Sequence, residues 1–167
     1  MGGSDQGGAI RRRRAILLVL GLLVVLGLAF AANRASISAL EEPGQLETYA
    51  ATKAKQWLVR RSARGPLPAA PPDDAMSRAA GQMLLTGRCA FCHGQDGREP
   101  TAEGRSMYPR APALSSPRVQ SWSDTELFWI VKHGIRLTGM PGFGRIHSDD
   151  EIWHLVHYVR SLNAQKR

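Results

Sequence analysis

The sequence predicts an all-α protein, in which one N-terminal transmembrane helix and an amphipathic helical segment precede a small helical domain. Three observations support this prediction. Residues 15–32 contain no charged side chain, residues 43–63 place their apolar side chains near one face of a helix, and residues 149–162 repeat apolar side chains at helical spacing. The chain of 167 residues has about the length of one domain.

The N-terminal residues have the composition of a membrane anchor. Residues 1–14 form a basic segment with four consecutive arginines, and residues 15–33 form the predicted transmembrane anchor. At about 1.5 Å per residue the apolar run reaches about 27 Å, close to the thickness of a hydrocarbon core. The positive-inside rule keeps the arginines in the cytoplasm and sends the rest of the chain to the periplasmic side of the cell inner membrane. A cleavable secretory signal is the alternative, because 29–31 is a small-residue pattern that a signal peptidase accepts.

Residues 34–64 form the predicted amphipathic helical segment, with Pro43 at the first helical position. The helix is expected to lie on lipid headgroups, with Tyr49 and Trp57 as interface anchors, or to pack on the following domain or on a partner subunit. The sequence is compatible with all three alternatives. Residues 65–73 form a Pro-rich linker, which is expected to be extended over about 28 Å and to hold the next domain away from the bilayer.

Residues 74–167 are predicted to form the main domain. Its first helix starts at Asp73 or Asp74 and runs to Gly87. The other expected features, which follow from capping signals, apolar spacing and loop-forming residues, are a loop over 94–122, helices over 123–133 and 149–162, and a capping box between Ser148 and Glu151. His154 and His157 lie opposite the apolar residues of the last helix and are expected to be solvated.

Both cysteines of the chain lie in one motif, Cys89-Ala90-Phe91-Cys92-His93, whose spacing is typical of covalent attachment of a c-type haem. Two thiols three residues apart on a helical turn can each add to a vinyl group of the same haem, while the neighbouring imidazole reaches the iron. A redox-active cysteine pair would follow a strand, a zinc site would need further ligands, and a disulfide would close a very small loop. The motif therefore predicts one covalent haem c with its iron.

Met140 is the candidate ligand for the other face of the iron. A thioether is a soft ligand that raises the reduction potential, as in the Met/His arrangement of cytochromes c. The alternative is a methionine that fills a gap in the core. Gly139 and Pro141 place Met140 in a turn with little steric hindrance, which favours ligation. The predicted metal ligands are thus His93 and Met140, and no residue is predicted to be catalytic.

With these motifs, residues 74–167 resemble a class I monohaem c-type cytochrome of the membrane-anchored bacterial type. Such domains carry a glycine eight residues before the first haem cysteine, here Gly81, and an aromatic residue that crosses it, here Tyr158. Residues 111–114 resemble their Gly-Pro-x-Leu loop, with Ala in place of Gly. The resemblance implies a cytochrome c-like haem domain in which the Pro112 carbonyl accepts a hydrogen bond from Nδ1 of His93.

The predicted function is single-electron transfer with redox partner proteins of the cell envelope, either as a carrier or as the haem subunit of a larger oxidoreductase complex. A haem-based redox or gas sensor, in which Met140 dissociates, is the alternative. With two ligands the iron has no open position, so we expect an electron-transfer protein rather than an enzyme, without a small-molecule substrate. The formal charge of +8 does not predict nucleic-acid binding, because residues 74–167 hold twelve basic and nine acidic side chains.

Overall fold

The computed structural model describes residues 4–34, 38 and 40–164. Every regular element within these residues is a helix, which confirms the all-α prediction. The predicted segments therefore extend beyond the described residues at 1–3, at 35–37 and 39, and at 165–167. The chain forms two compact units that divide between Glu41 and Glu42.

The N-terminal unit contains one long helix, α1, over Ser4–Arg34. This helix begins earlier than the predicted anchor, because arginine is a good helix former and the basic block at 11–14 continues the helix. Its part Gly8–Arg34 contains an 18-residue stretch with a mean hydropathy of 2.9 and is long and apolar enough to cross a membrane. The helix is consistent with membrane anchoring.

The second unit contains the other described helices. Its described helices are α2 (Gln45–Ser62), α3 (Ala75–Leu84), α4 (Ala90–His93), α5 (Ala102–Ser106), α6 (Pro117–Gln120), α7 (Asp124–His133) and α8 (Asp149–Ala164). A π-helical segment, Leu85–Cys89, joins α3 to α4. Helix α8 packs against α3 and α7, and α2 packs against α7.

Local capping signals define where the two long C-terminal helices begin. Ser123 and Glu126 form a complete capping box at the start of α7. At α8 the amide of Ser148 donates to the Glu151 carboxylate at 2.8 Å, and the amide of Glu151 donates to the Ser148 hydroxyl at 3.3 Å. Both helices therefore start where the sequence predicts, because these signals involve residues only three positions apart.

Two predicted boundaries differ from the structure. Helix α2 begins at Gln45 after the N-cap residue Gly44, so Pro43 lies before the helix and not at its first position. The segment 94–122, which was expected to be a loop, contains α5 and α6. The second of these helices has Pro117 at its start, where the fixed φ of proline is favourable.

The hydrophobic core lies where α7 and the π-helical segment meet α8. Leu85, Phe128 and Ile152 are fully buried. Phe128 stacks on Trp153 with a distance of 4.6 Å between ring centroids. Since each fully buried side chain of this kind contributes about 1.5–3 kcal/mol, this cluster dominates the stability of the unit.

Helices α3 and α8 approach closely at Gly81. A Cβ atom added there would lie 2.0 Å from the carbonyl oxygen of His154 and 2.9 Å from Cβ of Tyr158. No side chain fits into this space, so the crossing requires glycine. The glycine and the aromatic residue that the resemblance singles out are therefore in contact.

Residues 42–73 belong to the same compact unit as the residues that follow them. Val59 of α2 is buried, and Leu67 packs against the core. Trp153 Nε1 donates a hydrogen bond to the carbonyl oxygen of Pro68 at 3.2 Å. The linker 65–73 thus lies on the surface of the domain and is not a free extended spacer. Its Leu67 side chain and its Pro68 carbonyl both contact residues of the domain.

The expectation that His154 and His157 are solvated is wrong. Nδ1 of each ring lies 2.7 Å from the Ser77 hydroxyl, and His157 and Ser77 are buried. The helical face that α8 turns away from its own apolar residues is covered by α3. The periodicity of one helix cannot reveal a second helix that packs on its polar side.

Candidate haem-binding site

The haem motif lies on a continuous helical run that follows α3. In the π-helical segment Leu85–Cys89 the amide of Ala90 donates to the carbonyl of Leu85, one residue further than in an α-helix. The wider turn keeps Leu85 in the core while Cys89 and Cys92 are partly exposed. The first predicted helix therefore continues through this turn into the motif.

The two thiols lack the lowered pKa of a redox-active cysteine pair. Burial, and then the neighbouring Cys92, raise the pKa of Cys89 to about 11. Burial, and then Glu103, also raise the pKa of Cys92. Redox-active cysteine pairs need a lowered thiol pKa, and the part of the chain that the structure describes contains no group of three or more metal-ligating side chains. The pair therefore fits thioether formation better than disulfide exchange or zinc binding.

His93 is buried and oriented by one hydrogen bond. Its Nδ1 lies 2.9 Å from the carbonyl oxygen of Pro112. Because a carbonyl oxygen can only accept, Nδ1 carries the proton and Nε2 keeps its lone pair for a metal. Burial lowers the pKa of His93, and the hydrogen bond to Pro112 opposes this shift. The neutral imidazole that burial favours is the form that ligates iron.

The loop that carries Pro112 is fixed on both sides by backbone hydrogen bonds. Before the proline, the amide of Ala111 donates to the carbonyl of Gly104 at 2.8 Å. After it, the amide of Leu114 donates to the carbonyl of Gly97 at 2.7 Å. The position of the carbonyl that orients His93 is therefore set by the whole segment between α4 and α6.

Helix α5 holds the backbone of the attachment helix α4. The amide of Thr101 donates to the carbonyl of Cys92 at 3.2 Å, and its hydroxyl donates to the carbonyl of Phe91 at 2.6 Å. A Cβ atom at Gly104 would lie only 2.0 Å from the Cys92 carbonyl oxygen. The close approach of α5 to the haem motif therefore depends on a glycine.

Met140 lies in the loop after α7, whose residues form hydrogen bonds with one another. The amide of Ile135 donates to the carbonyl of Met140 at 3.2 Å, and the amide of Met140 donates to the Thr138 hydroxyl at 3.2 Å. The Met140 side chain is partly buried, whereas Leu137 is 93% exposed with a φ of 63°. Backbone and threonine bonds hold this loop, so its shape does not depend on the methionine side chain.

Met107 is a site residue that sequence reasoning missed. Its Sδ lies 3.9 Å from Sγ of Cys92, and a Cβ atom added at Gly139 would lie 2.7 Å from the same Sδ. The side chain therefore bridges the haem motif and the loop that carries Met140. No local signal points to Met107, because it lies in a segment without a motif and meets its partners only in the tertiary structure.

The geometry thus brings Cys92 and the loop of Met140 together through Met107, and it joins His93 to Pro112. The family model of cytochrome C oxidase, cbb3-type, subunit III, matches residues 77–159. No curated protein matches the chain.

A solved chain in the reducing HAO-like protein complex of Kuenenia stuttgartiensis is similar to this chain, with a TM-score of 0.50 and 26% sequence identity. The match covers 59% of this chain and 51% of that chain, so the chain spans about half the length of its structural neighbour. Residues 77–159 thus match a cytochrome c domain, and the matched family and this neighbour support a class I c-type cytochrome, an electron-transfer protein that binds haem c and its iron covalently.

Proposed function

We propose that this chain is a membrane-anchored cytochrome that transfers single electrons through a haem ligated by His93 and Met140 on the periplasmic side of the inner membrane. The observation that carries the proposal is the 2.9 Å hydrogen bond between His93 Nδ1 and the Pro112 carbonyl oxygen. It fixes the tautomer in which Nε2 is the ligand atom. Bound haem c supplies an iron that exchanges one electron with a partner.

Each residue of the site has a separate role in this proposal. Cys89 and Cys92 hold the haem by thioether bonds, and Pro112 keeps the His93 ring in one orientation. Met140 supplies a soft sulfur ligand, which stabilises the reduced iron and raises the reduction potential. Two protein ligands that remain bound in both oxidation states keep the structural change during electron transfer small.

The surroundings of the motif support exchange with a protein partner. Phe91, between the two cysteines, and Met83, on α3, are exposed apolar side chains. Arg88, directly before Cys89, is an exposed cation. Exposed apolar groups near a charged residue are typical of protein contact sites. We propose that redox partner proteins bind at this surface.

A haem subunit of a larger oxidoreductase complex is the second candidate. It is favoured by the description of the matched family as an oxidase subunit and by the structural neighbour, which is part of a protein complex. Native membranes solubilised in mild detergent distinguish the two. A free carrier migrates as a small haem-staining band, whereas a subunit migrates with stoichiometric partner proteins.

Met140→Leu tests the ligand assignment, and Met107→Leu is its matched control. Both variants exchange a sulfur for a similar apolar volume in the same region. We expect Met140→Leu to retain covalent haem, to lower the reduction potential and to let the reduced protein bind carbon monoxide. Met107→Leu is expected to keep a potential close to that of the wild type. The measurements are a redox titration and a carbon monoxide difference spectrum.

The opposite pattern, with a lowered potential only in Met107→Leu, would assign the ligand to Met107. Rapid carbon monoxide binding by the reduced wild type would favour the sensor alternative, since it requires an iron ligand that dissociates. Sidedness is tested separately by protease treatment of spheroplasts. A periplasmic haem domain is cut without lysis, and protection until lysis contradicts the proposed location.

A further inference from the structure

The exposed side of α2 carries a row of apolar, aromatic and cationic side chains that electron transfer does not use. Leu46, Tyr49 and Trp57 are 80%, 62% and 59% exposed. Residues three or four positions apart lie on one face of a helix. The row, which we call the outer stripe of α2, consists of Leu46, Tyr49, Lys53, Trp57 and Arg61 on the helix and of Arg64 in the turn directly after it.

A different face of α2 is fixed to the haem domain. Val59 is buried, and the Arg60 guanidinium lies 3.5 Å from the Glu126 carboxylate of α7. The Tyr108 hydroxyl donates a hydrogen bond to the Glu47 carboxylate at 2.9 Å. These contacts hold α2 on the domain while the outer stripe stays exposed. A surface that binds the stripe therefore also holds the haem domain in one orientation.

The chemistry of the outer stripe fits a phospholipid surface. Lys53 Nζ lies 5.6 Å from the centroid of the Tyr49 ring, and Arg61 Cζ lies 5.4 Å from the centroid of the Trp57 ring. Aromatic rings favour the boundary between headgroups and acyl chains, and adjacent cations favour anionic phosphates. An acidic protein surface would match the cations but not the apolar groups that alternate with them.

The length of the connecting chain sets an upper limit on the distance between α2 and the proposed anchor. Helix α1 ends at Arg34 and α2 begins at Gln45, so ten residues connect them. A fully extended segment of that length reaches about 35 Å at most. If α1 spans the membrane as proposed above, the bilayer surface is the partner that α2 meets first.

We propose that the outer stripe of α2 binds anionic phospholipid of the membrane that anchors the chain, and thereby fixes the orientation of the haem domain on that surface. This inference rests on the proposed membrane anchor. It combines two of the three alternatives for the amphipathic segment, because one face of α2 binds the domain and another binds lipid.

The test separates the stripe from the anchor. The full chain, with a site-specific protease sequence inserted between residues 34 and 42, is matured with haem and reconstituted into vesicles of phosphatidylglycerol or of phosphatidylcholine. After cleavage, Soret absorbance in the sedimented vesicles measures how much haem domain stays bound. We expect retention on phosphatidylglycerol at low salt, and release at high salt or from phosphatidylcholine.

The triple variant K53Q/R61Q/R64Q is expected to weaken binding to phosphatidylglycerol roughly 100-fold. Each cation near an anionic surface contributes about equally to the binding free energy, and the variant removes three of these contributions. The control R105Q/R136Q/R145Q makes the same change in charge outside the outer stripe, at exposed positions, and is expected to stay bound. Wild-type binding by the α2 variant, or equal losses in both variants, would overturn the proposal. The uncut chain on phosphatidylcholine, to which the outer stripe is not expected to bind, reports on α1. Its failure to sediment there contradicts the anchor, and the cleaved domain on phosphatidylglycerol still tests the stripe.

Discussion

Two parts of the haem domain are stabilised by different means, namely the crossing of α3 and α8 and the Met140 loop over residues 134–147. At the crossing, the backbone of Gly81 lies against the backbone of His154. Leu85, which follows α3, and Ile152 on α8 are fully buried beside it. This part is held by close packing of apolar side chains, which the protein supplies itself.

The Met140 loop is held mainly by backbone hydrogen bonds. Among the described residues, none from 134–147 belongs to the hydrophobic core cluster. The amide of Phe143 bonds to the carbonyl of Val131 at 3.0 Å, and the amide of Gly144 bonds to the carbonyl of Lys132 at 2.9 Å. We therefore expect the crossing to persist without haem, and the loop to depend on the haem to cover its apolar side chains.

Loss of a thioether bond is expected to have the largest effect, and to act on the haem-dependent part. Cys92→Ala leaves Cys89 as the single attachment point, so we expect most of the holoprotein to be lost. The helical signal of the crossing should persist in the remaining protein. Haem-stained gels and far-UV circular dichroism measure the two quantities. Phe91→Ala, at the exposed position between the cysteines, is the control and should keep its haem. A normal yield of Cys92→Ala holoprotein would contradict covalent attachment through both thiols.

A side chain at the crossing is expected to have the next largest effect. Gly81→Ala places a Cβ atom 2.0 Å from the His154 carbonyl oxygen, so the helices must separate, at a cost of about 3 kcal/mol in the free energy of unfolding. Gly87→Ala is the matched control, because a Cβ atom there meets nothing within 4 Å. Urea denaturation of both variants measures the difference. Equal stability would mean that the crossing is looser than described.

The buried polar group at the crossing gives a smaller effect. The Ser77 hydroxyl has one hydrogen, so it donates to one histidine and accepts from the other, and the two rings hold opposite tautomers at Nδ1. Ser77→Ala removes the hydrogen-bond partner of both rings and is expected to lower the free energy of unfolding by about 2 kcal/mol. Ser161→Ala serves as the control, because that hydroxyl bonds only within its own helix, to the carbonyl of Tyr158 at 2.7 Å. A loss in Ser77→Ala no larger than in the control would contradict a structural role for the histidine pair.

The start of α8 gives the smallest effect, which depends on pH. Hydrogen bonds from the backbone and then the hydroxyl of Ser148 lower the pKa of Glu151 below its ordinary value of 4.5. Because the folded pKa is the lower one, the stabilisation is present above pH 4.5 and is lost as the pH falls through the lowered value. As the pH falls below 4.5, the wild type should therefore lose a small part of its free energy of unfolding. Glu151→Gln should show no such loss. Identical pH profiles for the two proteins would contradict the effect.

The haem motif could be predicted from the sequence because its chemistry is local. Covalent attachment needs two thiols and an imidazole at fixed spacing, so residues 89–93 suffice to predict it. Helix starts were predictable for the same reason, since a capping box involves residues three positions apart. The hydrogen bond between His93 and Pro112 followed from resemblance, because its partners lie 19 positions apart in the chain.

The contacts that could not be predicted join residues far apart in the chain. Met107 has no motif of its own, and its sulfur becomes part of the site only when the loop of Gly139 folds against it. Trp153 and Pro68 are 85 positions apart, and their hydrogen bond turns an expected spacer into part of the domain surface. Neither pair has a spacing or periodicity that a sequence pattern can reveal.

The sequence by itself determined the cofactor, the helical class and the apolar N-terminal segment, because thiol spacing, capping residues and hydropathy act over a few residues. Only the tertiary structure decided that α2 packs on the haem domain, that Ser77 joins two histidines and that Met107 bridges the site. These features depend on which surfaces meet when helices pack. That outcome is set by the shape and burial of the whole unit, and no short segment contains it.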